Sequence, residues 1–360
     1  MAKKKEILTI LLPSIVIFGL SAMGICMPDK DYSDSERRGL AVFPKISIDS
    51  VYSGRFMDQF ESYVLDQFPD RDFFRKTKAI TNYYILQNKD NNGYYKYKGH
   101  ISKLEYPLNE AKLKASLKKQ QDLYTKYIAD SDCKVYVSVI PDKNYYLAGE
   151  GGYLSMDYDR YVEILTENED YAEYIDIFDC LTPECYYNTD PHWRQEKIEP
   201  VAQRLCESMR AGYSNDSELL ELEVPFYGAY YQQACLPAKP ETIKYFYGDT
   251  LSECQVTYFN TDSQKTAGVY DFKKAKGKDA YEMFLSGAQA LVEIENPNPE
   301  SDKELILFRD SFGSSLAPLL LGGYKKVTLV DVRYLSTEKM SNMIDFVNQD
   351  VLFMYSTMTI

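Results

Sequence analysis

The sequence predicts an α/β domain in which helices flank a parallel β-sheet, preceded by a transmembrane helix and a small helical region next to the membrane. Three observations support this prediction. Apolar strands alternate with amphipathic helices from about Leu113 onward, which is typical of a parallel sheet covered by helices. A long uncharged stretch opens the chain, and two helical runs separate it from this alternating part. We expect strands at residues 135–140, 174–178, 304–308 and 327–330.

The N-terminus has the pattern of a membrane anchor. Lysines at positions 3–5 precede an uncharged stretch over residues 7–27, and acidic residues follow at positions 29, 31 and 34. The stretch is long enough to span a bilayer and too long for the hydrophobic core of an ordinary signal peptide. Because lysines stay on the cytoplasmic side, the rest of the chain should lie outside the cell membrane. Two other interpretations remain open, cleavage after Ala22 or Gly24 and lipidation at Cys26.

The segment between the anchor and the sheet is expected to be a separate membrane-proximal region. Apolar residues recur at helical spacing over residues 56–65 and 73–86, a turn follows at 89–93, and residues 94–101 have the pattern of a strand. The predicted parts are therefore the basic tip and anchor (1–28), the membrane-proximal region (29–110) and the α/β domain that holds the site (111–360).

Composition excludes some partners. With 360 residues, 45% of them hydrophobic, the chain can bury a large core. A net charge of −13 argues against nucleic acid as a partner, because phosphate binding needs clustered lysine and arginine. The 33 tyrosines are unusual, and they are consistent either with a cleft for sugar rings or with ordinary packing.

The cysteines permit disulfides without requiring them. Six of the seven follow the anchor, which is an even number in an oxidising compartment. Cys180 and Cys185 bracket a short loop, and a bridge there could fix the approach to Asp190. A metal site is disfavoured because histidine is scarce and no second cysteine pair lies nearby. Free buried cysteines are the alternative, and no metal or cofactor is expected.

Residues 188–194 hold one of only two histidines and the only tryptophan. Asp190 and His192 lie two apart, so in extended backbone their side chains share a face, and Pro191 disfavours a helical conformation at Asp190. A carboxylate beside a histidine suits a general base. The other histidine, His100, has no nearby acidic partner and is interpreted as structural. Alternatively, Asp190 and its neighbour merely cap a helix from about Trp193 to Met209.

A second segment supplies a nucleophile. An apolar strand runs directly into Asp310-Ser311, and a helix is expected to begin at Ser314 or Ser315. At such a strand-to-helix turn the Ser311 hydroxyl would be exposed, and backbone N–H groups could face an oxyanion. The G-x-S-x-G pattern is absent, which disfavours an ordinary α/β-hydrolase. A capping role for Asp310 or Ser311 is the alternative.

With these motifs the chain resembles the DHHW proteins and their relatives AlgX and AlgJ, the alginate O-acetyltransferases with SGNH-hydrolase-like domains. The resemblance rests on residues 189–193, 308–312 and 331–334. Further blocks in the same order extend it over nearly the whole part after the anchor, at residues 36–38, 43–44, 66–71, 141–143 and 226–228. Two departures are Pro191 within the first motif and Arg309, where classical SGNH enzymes have glycine before the nucleophile.

The resemblance implies an SGNH-like sheet and a triad of Ser311, His192 and Asp190, in an order permuted relative to ordinary SGNH esterases. It also suggests that Lys143 and Arg333 hold substrate, although either could be a structural cation. The implied activity is transfer of acetyl groups through an acyl-serine to hydroxyls of an exopolysaccharide or cell-wall glycan. The implied acetyl donor is a membrane-bound O-acyltransferase. A carbohydrate esterase and a non-catalytic glycan-binding or assembly protein are the alternatives.

Overall fold

The computed structural model of the chain describes residues 2–33, 35, 36, 38–260 and 263–359. Asp34, one of the acidic residues after the predicted anchor, and Arg37, in the block 36–38, lie outside the described residues. The chain forms two compact units. The first comprises residues up to Asn92 together with Gln232–Pro237, and the second comprises Gly93–Tyr231 and the residues from Ala238 onward. The division at residues 28 and 110 stays a prediction.

The first unit consists mainly of helices. The window Thr9–Cys26 is long and apolar enough to cross a bilayer, a property shared by membrane anchors and signal sequences. The helical runs at 56–65 and 73–86 are confirmed, except that the second begins earlier and ends in a π-helical turn. The elements are α1 (Ala2–Cys26), β1 (Tyr32–Ser33), β2 (Arg38–Gly39), α2 (Ile48–Tyr52), α3 (Arg55–Asp66) and α4 (Arg71–Ile80), followed by the π turn Thr81–Ile85.

Asp66 ties the end of α3 to the segment that leaves α1. Its carboxylate accepts two hydrogen bonds from the Arg38 guanidinium, at 2.5 and 2.7 Å, and one from the Ala41 backbone N–H at 2.9 Å. The hydrogen bond from Arg38 is the main reason that the pKa of Asp66 falls to about 2. The Gln67 side chain adds two hydrogen bonds to the backbone of Lys30, both 2.9 Å long.

Helices and strands alternate after Asn92. The helices are α5 (Glu110–Tyr127), α6 (Lys143–Gly151), α7 (Tyr158–Asn168), α8 (Glu199–Ser208), α9 (Ala229–Ala234), α10 (Asp249–Glu253), α11 (Gly313–Leu320) and α12 (Thr337–Met340). The strands are β3 (Tyr94–Tyr97), β4 (His100–Lys103), β5 (Lys134–Ile140), β6 (Glu173–Tyr174), β7 (Glu218–Glu221), β8 (Lys244–Tyr247), β9 (Gln255–Asn260), β10 (Ser263–Ala267), β11 (Leu291–Glu295), β12 (Glu304–Arg309), β13 (Lys326–Val330) and β14 (Asp350–Ser356).

An eight-stranded sheet organises the second unit, in the order β10-β9-β11-β13-β12-β14-β5-β6. The five strands from β13 to β6 run parallel, and β11, β9 and β10 add antiparallel pairs at the other edge. The predicted α/β class with a mostly parallel sheet is confirmed. In β12 the apolar residues alternate between two cores, because Leu305 and Leu307 pack on the side of α8 and α11, while Ile306 and Phe308 pack on the side of α5 and α7.

Three of the four predicted strands are confirmed as β5, β12 and β13, and the one at 174–178 is wrong in extent. The strand pairs with β5 at Glu173 and Tyr174, and the Ile175 backbone N–H adds one last bond to the Val137 carbonyl at 2.8 Å. Beyond Ile175, the Asp176 carboxylate accepts the Phe178 backbone N–H at 2.9 Å, and this local bond turns the chain out of the sheet. Strand β14 was not predicted, although it lies between β12 and β5 at the centre of the sheet.

Two other local predictions are corrected. Residues 94–101 do not form one strand, because Lys98 and Gly99 adopt positive φ (47° and 90°) and reverse the chain into the β3–β4 hairpin. The helix expected from Trp193 begins at Glu199, after a 3₁₀ turn. Pro200 favours this start, since proline fits the first helical turn, where no backbone donor is needed.

All seven cysteines belong to the described residues, and all are free thiols. Cys180 and Cys185 are therefore not bridged. The Cys185 thiol is buried and lies 3.7 Å from the Lys197 carbonyl oxygen. His100 is buried in β4, as expected for a structural residue, and burial lowers its pKa to about 4, so that it stays neutral.

Candidate active site

Ser311 lies on the turn between β12 and α11, at the carboxyl end of a central parallel strand. The Asp310 carboxylate holds this turn. One of its oxygens accepts the Phe312 backbone N–H at 3.0 Å, and the other accepts the Ser356 backbone N–H and the Thr359 hydroxyl, both at 2.8 Å. Asp310 therefore fastens the turn to the last residue of β14 and to Thr359 beyond it. A site at this end of the strands is the arrangement expected for a parallel sheet.

Arg309 occupies the position before Asp310 as a buried cation. A Cβ on Gly313 would come within 2.7 Å of the Arg309 Cβ, so the arginine stem packs tightly against the start of α11. One terminal nitrogen donates to the Asp310 carbonyl at 3.3 Å and lies 4.0 Å from the Asp331 carboxylate. Burial lowers the pKa of Arg309 and Asp331 opposes that shift. The side chain therefore supports the turn from within the core.

A chain of hydrogen bonds joins Asp190, His192 and Ser311. The distance from His192 Nε2 to Ser311 Oγ is 2.7 Å, and the distance from His192 Nδ1 to Asp190 Oδ1 is 2.5 Å. The Asp190 side chain is fully buried, whereas 13% of the His192 side chain is exposed. The structure thus brings together two sequence motifs that are separated by 119 residues.

Asp190 is positioned by backbone donors on both oxygens and does not act as a helix cap. Its Oδ1 also accepts the His192 backbone N–H at 3.1 Å, and its Oδ2 accepts the Ala229 backbone N–H at 2.8 Å. Gly228 makes this approach possible, because a Cβ there would lie 2.2 Å from the Asp190 Cβ. The lack of a side chain at Gly228 is therefore a requirement of the site.

Tyr281 packs on the imidazole. Its ring lies 4.0 Å from the His192 ring, centroid to centroid, with an angle of 12° between the planes. The Tyr281 hydroxyl is 2.7 Å from Ser315 Oγ, which also accepts the Trp193 indole N–H at 2.9 Å. Burial raises the pKa of Tyr281 well above its usual value, so the phenol stays neutral. These contacts hold the imidazole plane in the orientation that reaches Ser311.

Glu241 secures the residues that lead into Asp190. Its carboxylate accepts the backbone N–H groups of Asn188 and Thr189, both at 2.8 Å, and the Thr189 hydroxyl at 2.7 Å. Arg194 forms an ion pair with the same carboxylate, and its guanidinium lies 4.7 Å from the centroid of the Tyr187 ring. The Glu241 carboxylate therefore holds the loop before Asp190, through Asn188 and Thr189, and after it, through Arg194.

Lys143 is buried beneath the same loop, with 1% of its surface exposed. Its ammonium donates to the Tyr187 carbonyl at 2.8 Å and to the Asn188 carbonyl at 3.3 Å. Burial lowers the pKa of Lys143 to about 7, while the negative charges of Asp190 and Glu241 oppose that shift. In this structure Lys143 contacts the loop that carries Asp190, and a role in holding substrate stays a prediction.

Arg333 follows β13 and pairs with Asp331. Two guanidinium nitrogens donate to the Asp331 carboxylate, at 2.6 and 2.9 Å, while 41% of the arginine side chain is exposed. These hydrogen bonds raise the pKa of Arg333. Its exposed face could meet an anionic or hydroxyl-bearing ligand, so its proposed role in holding substrate also stays a prediction.

The arrangement is suited to nucleophilic chemistry. A serine hydroxyl donates to an imidazole whose second nitrogen is held by a carboxylate. The Ser311 backbone N–H has no hydrogen-bond partner among the described residues, so it is available to an oxyanion. Gly228, Glu241 and Tyr281 were not identified as site residues from the sequence. Gly228 carried a signal only through the matching block 226–228, and Tyr281 is one of many tyrosines.

The fold and site define an α/β protein with an Asp–His–Ser arrangement at the carboxyl edge of a mostly parallel sheet. A DHHW family protein from Eubacterium siraeum aligns with a TM-score of 0.57 and 21% identity, over 75% of this chain and 92% of that one. The resemblance to DHHW proteins that the motifs indicated is therefore confirmed for the fold. No protein-family model and no curated protein sequence matches the chain.

Two other solved structures are similar. Bacillus cereus PatB1 aligns with a TM-score of 0.56 and 15% identity, over 73% of this chain and 95% of that one. A further PatB1 structure carries a sulfonyl adduct and aligns with a TM-score of 0.54. The O-acetyltransferase domain of Pseudomonas putida AlgJ matches over 73% of this chain and 90% of that one, with 11% identity, and its TM-score of 0.42 is too low to carry an argument.

Proposed function

We propose that this protein is an extracytoplasmic serine O-acetyltransferase of SGNH-like type, which moves acetyl groups to hydroxyls of an exopolysaccharide or cell-wall glycan. The hydrogen-bonded chain from Asp190 through His192 to Ser311 carries the proposal. The shared fold with the DHHW family protein and with PatB1 supports it. In this assignment Ser311 is the nucleophile, His192 the general base and acid, and Asp190 the residue that orients and stabilises the imidazole.

The first half-reaction would load the serine. Ser311 Oγ attacks the carbonyl carbon of an acetyl ester while its proton passes to His192 Nε2. The negative charge on the carbonyl oxygen is stabilised by the Ser311 backbone N–H. When the tetrahedral intermediate collapses, the bond to the donor alcohol breaks and His192 returns the proton to the departing oxygen. The acetyl group remains on Ser311 as an ester.

The second half-reaction would transfer the group. A sugar hydroxyl gives its proton to His192 Nε2 as its oxygen attacks the acetyl-serine carbonyl. Collapse breaks the bond to Ser311 Oγ, which recovers its proton from His192. Water in place of the sugar would make the same site an esterase, so the balance between the two activities depends on which acceptor reaches the carbonyl first.

The location follows from α1, which we assign as a single transmembrane anchor with the second unit outside the cell membrane. Charged acetyl carriers of the cytosol cannot reach such a site unaided. We therefore propose a membrane-bound O-acyltransferase as the donor partner, which passes acetyl groups across the bilayer. Lys143 would act through the loop that it braces, whereas Arg333 would meet the acceptor through its exposed part.

The test uses the full-length protein in detergent and two covalent probes. Phenylmethanesulfonyl fluoride and p-nitrophenyl acetate should each add one group, identified by intact mass and peptide mapping. We expect both adducts on Ser311 and on no other serine. Ser311→Ala and His192→Ala should abolish them, while Ser314→Ala, a neighbouring serine outside the hydrogen-bonded chain, should retain them.

The identity of the acceptor distinguishes a transferase from an esterase. Release of acetate by the acetylated protein should slow when soluble oligosaccharides are added, and acetylated sugar should appear in its place. Release of acetate alone with every sugar tested would identify an esterase. A folded protein that forms neither adduct would refute the serine mechanism, and a binding or assembly role would then replace it.

A further inference from the structure

The first unit turns its apolar side chains outward. Between Val42 and Leu86 the residues buried from solvent include Pro44, Pro69 and Ala79. Many large apolar side chains in the same stretch are instead exposed, and a soluble domain covers such side chains in a core. The exposed set includes Val42, Phe43, Ile46, Ile48, Val51, Tyr52, Met57, Val64, Leu65, Phe68, Phe73, Phe74, Ile80, Tyr84, Ile85 and Leu86.

Helix α4 shows the pattern most clearly. Phe73 and Ile80 lie seven residues apart, two turns along one face, and are 65% and 43% exposed. The opposite face carries Ala79, which is fully buried, and Arg75, whose side chain is 16% exposed and lies 3.7 Å from the Glu36 carboxylate. The helix therefore packs through its small and charged side and presents its apolar side outward. Ordinary amphipathic helices of soluble proteins do the reverse.

Helix α3 also exposes apolar side chains, although none of its residues is buried and its polar side is exposed as well. Met57 and Val64, again seven residues apart, are 61% and 43% exposed. Asp58 and Ser62 lie on the other side of the helix. The apolar side is rich in aromatic rings, since Phe60 and Tyr63 both pack edge-on against Phe43, with centroids 5.9 and 5.3 Å apart. Aromatic side chains that carry a polar group at one end suit the boundary between headgroups and acyl chains.

Helices α3 and α4 are attached to the end of α1. A Cβ on Gly24 would be 3.5 Å from the Pro69 ring, so the last turn of α1 contacts the loop between α3 and α4. The Tyr63 hydroxyl donates to Asp29 at 2.8 Å, just beyond α1. With the Gln67–Lys30 pair, these contacts keep α3 and the start of α4 at the level where α1 would leave a bilayer.

We propose that the apolar faces of α3 and α4 lie in the phospholipid interface of the membrane that α1 crosses. A phospholipid surface is favoured over a second protein because it is the medium already present at the end of a spanning helix. An amphipathic helix inserts its apolar face about 5–10 Å into the boundary between headgroups and chains. The proposal rests on the proposed anchor and is independent of the proposed acetyl-transfer chemistry.

The test places one fluorescent amino acid at a time in the full-length chain, reconstituted in phosphatidylcholine vesicles. The probe positions are Met57 and Phe73 on the apolar faces, with Ser62 and Lys78 as matched controls on the same two helices. Phe18 within α1 reports separately on the anchor. Each protein must first show the circular dichroism spectrum of the parent, and its emission is then compared in vesicles with and without brominated acyl chains.

We expect bromine near the headgroup end of the chains to quench the probes at Met57 and Phe73 several-fold more than those at Ser62 and Lys78. Bromine near the methyl end should quench Phe18 most. Quenching at Phe18 alone would overturn the interfacial placement and leave the anchor intact. Equal quenching at all four helix positions would overturn it too, as would a blue shift at Met57 and Phe73 without quenching, which would mean that protein covers these faces. Loss of quenching at every position would overturn both the placement and the anchor.

Discussion

Replacing Asp190 with asparagine tests the hydrogen-bonded chain most directly. The substitution keeps the size of the side chain and exchanges one oxygen for an NH₂ group. Both oxygens of Asp190 accept hydrogen bonds, from the His192 ring and backbone on one side and from the Ala229 N–H on the other. Whichever way the amide is oriented, its NH₂ group faces a donor.

The functional cost follows from the tautomer. If the NH₂ group faces Nδ1, that nitrogen must accept, the proton moves to Nε2, and His192 can no longer take the proton of Ser311. Loss of the correct tautomer in a serine triad lowers the rate by about 10⁴-fold, which corresponds to about 5.5 kcal/mol in the activation free energy. If the NH₂ group faces Ala229, a buried donor loses its partner at a cost of about 1–3 kcal/mol in stability.

The assay is the rate of sulfonyl or acetyl adduct formation on Ser311, followed by mass in the full-length protein. Asp345→Asn, which makes the same exchange at an exposed position, serves as the control and should keep the parent rate. The thermal midpoint of each protein confirms that it is folded. A loss smaller than tenfold in folded Asp190→Asn protein would refute the orienting role of this carboxylate.

Three further predictions concern the surroundings. Glu241→Gln leaves the N–H groups around Thr189 facing an amide in place of a carboxylate, and should lower the free energy of unfolding by about 1–3 kcal/mol, measured by denaturant titration. Gly228→Ala places a methyl group against Asp190, and should slow Ser311 acylation by about 10²-fold, since a displacement of about 1 Å has that effect. Burial raises the pKa of the Glu169 carboxyl to about 8 from the 4.5 of the exposed group, so the folded protein binds more protons between these values and its stability falls as pH rises. Glu169→Gln should therefore flatten the fall of the thermal midpoint between pH 5 and pH 8.

Each of these has an outcome that contradicts it. Unchanged stability in Glu241→Gln would mean that the clamp on the Asp190 loop is not charge-assisted. A normal acylation rate in Gly228→Ala would mean that displacement of the Asp190 loop does not affect acylation of Ser311. Parallel pH profiles for the parent and Glu169→Gln would mean that Glu169 is ionised in the folded protein.

The three hydrogen-bonded residues of the candidate site could be predicted from the sequence because few residues can perform the proposed chemistry. With two histidines in the chain, the spacing of Asp190 and His192 and a serine at the end of an apolar strand leave little choice. The residues that position these groups were not found, because their roles arise from contacts across the fold. Tyr281 lies far from His192 in the sequence, and as one of 33 tyrosines it gives no signal.

The sheet was predicted where burial produces continuous apolar runs, as in β5 and β12. The short β6 was overextended because a local bond at Asp176 decides where it ends, and periodicity does not register such a bond. Strand β14 has an equally apolar sequence but is absent from the predicted strands, and so are the antiparallel strands β9 and β11. Strand order depends on long-range pairing that a local pattern does not contain.

The attachment of Asp310 to Ser356 and Thr359 affects the order in which the protein becomes competent during its synthesis. A chain emerging from the ribosome completes residues 190–192 long before residues 350–359, and the nucleophile turn lacks two of its three anchoring bonds until the latter arrive. The central strand β14 is also missing from the nascent sheet until then. A growing or interrupted chain therefore has the histidine and the serine but no rigid geometry between them, and we expect it to stay inert toward esters until β14 is in place.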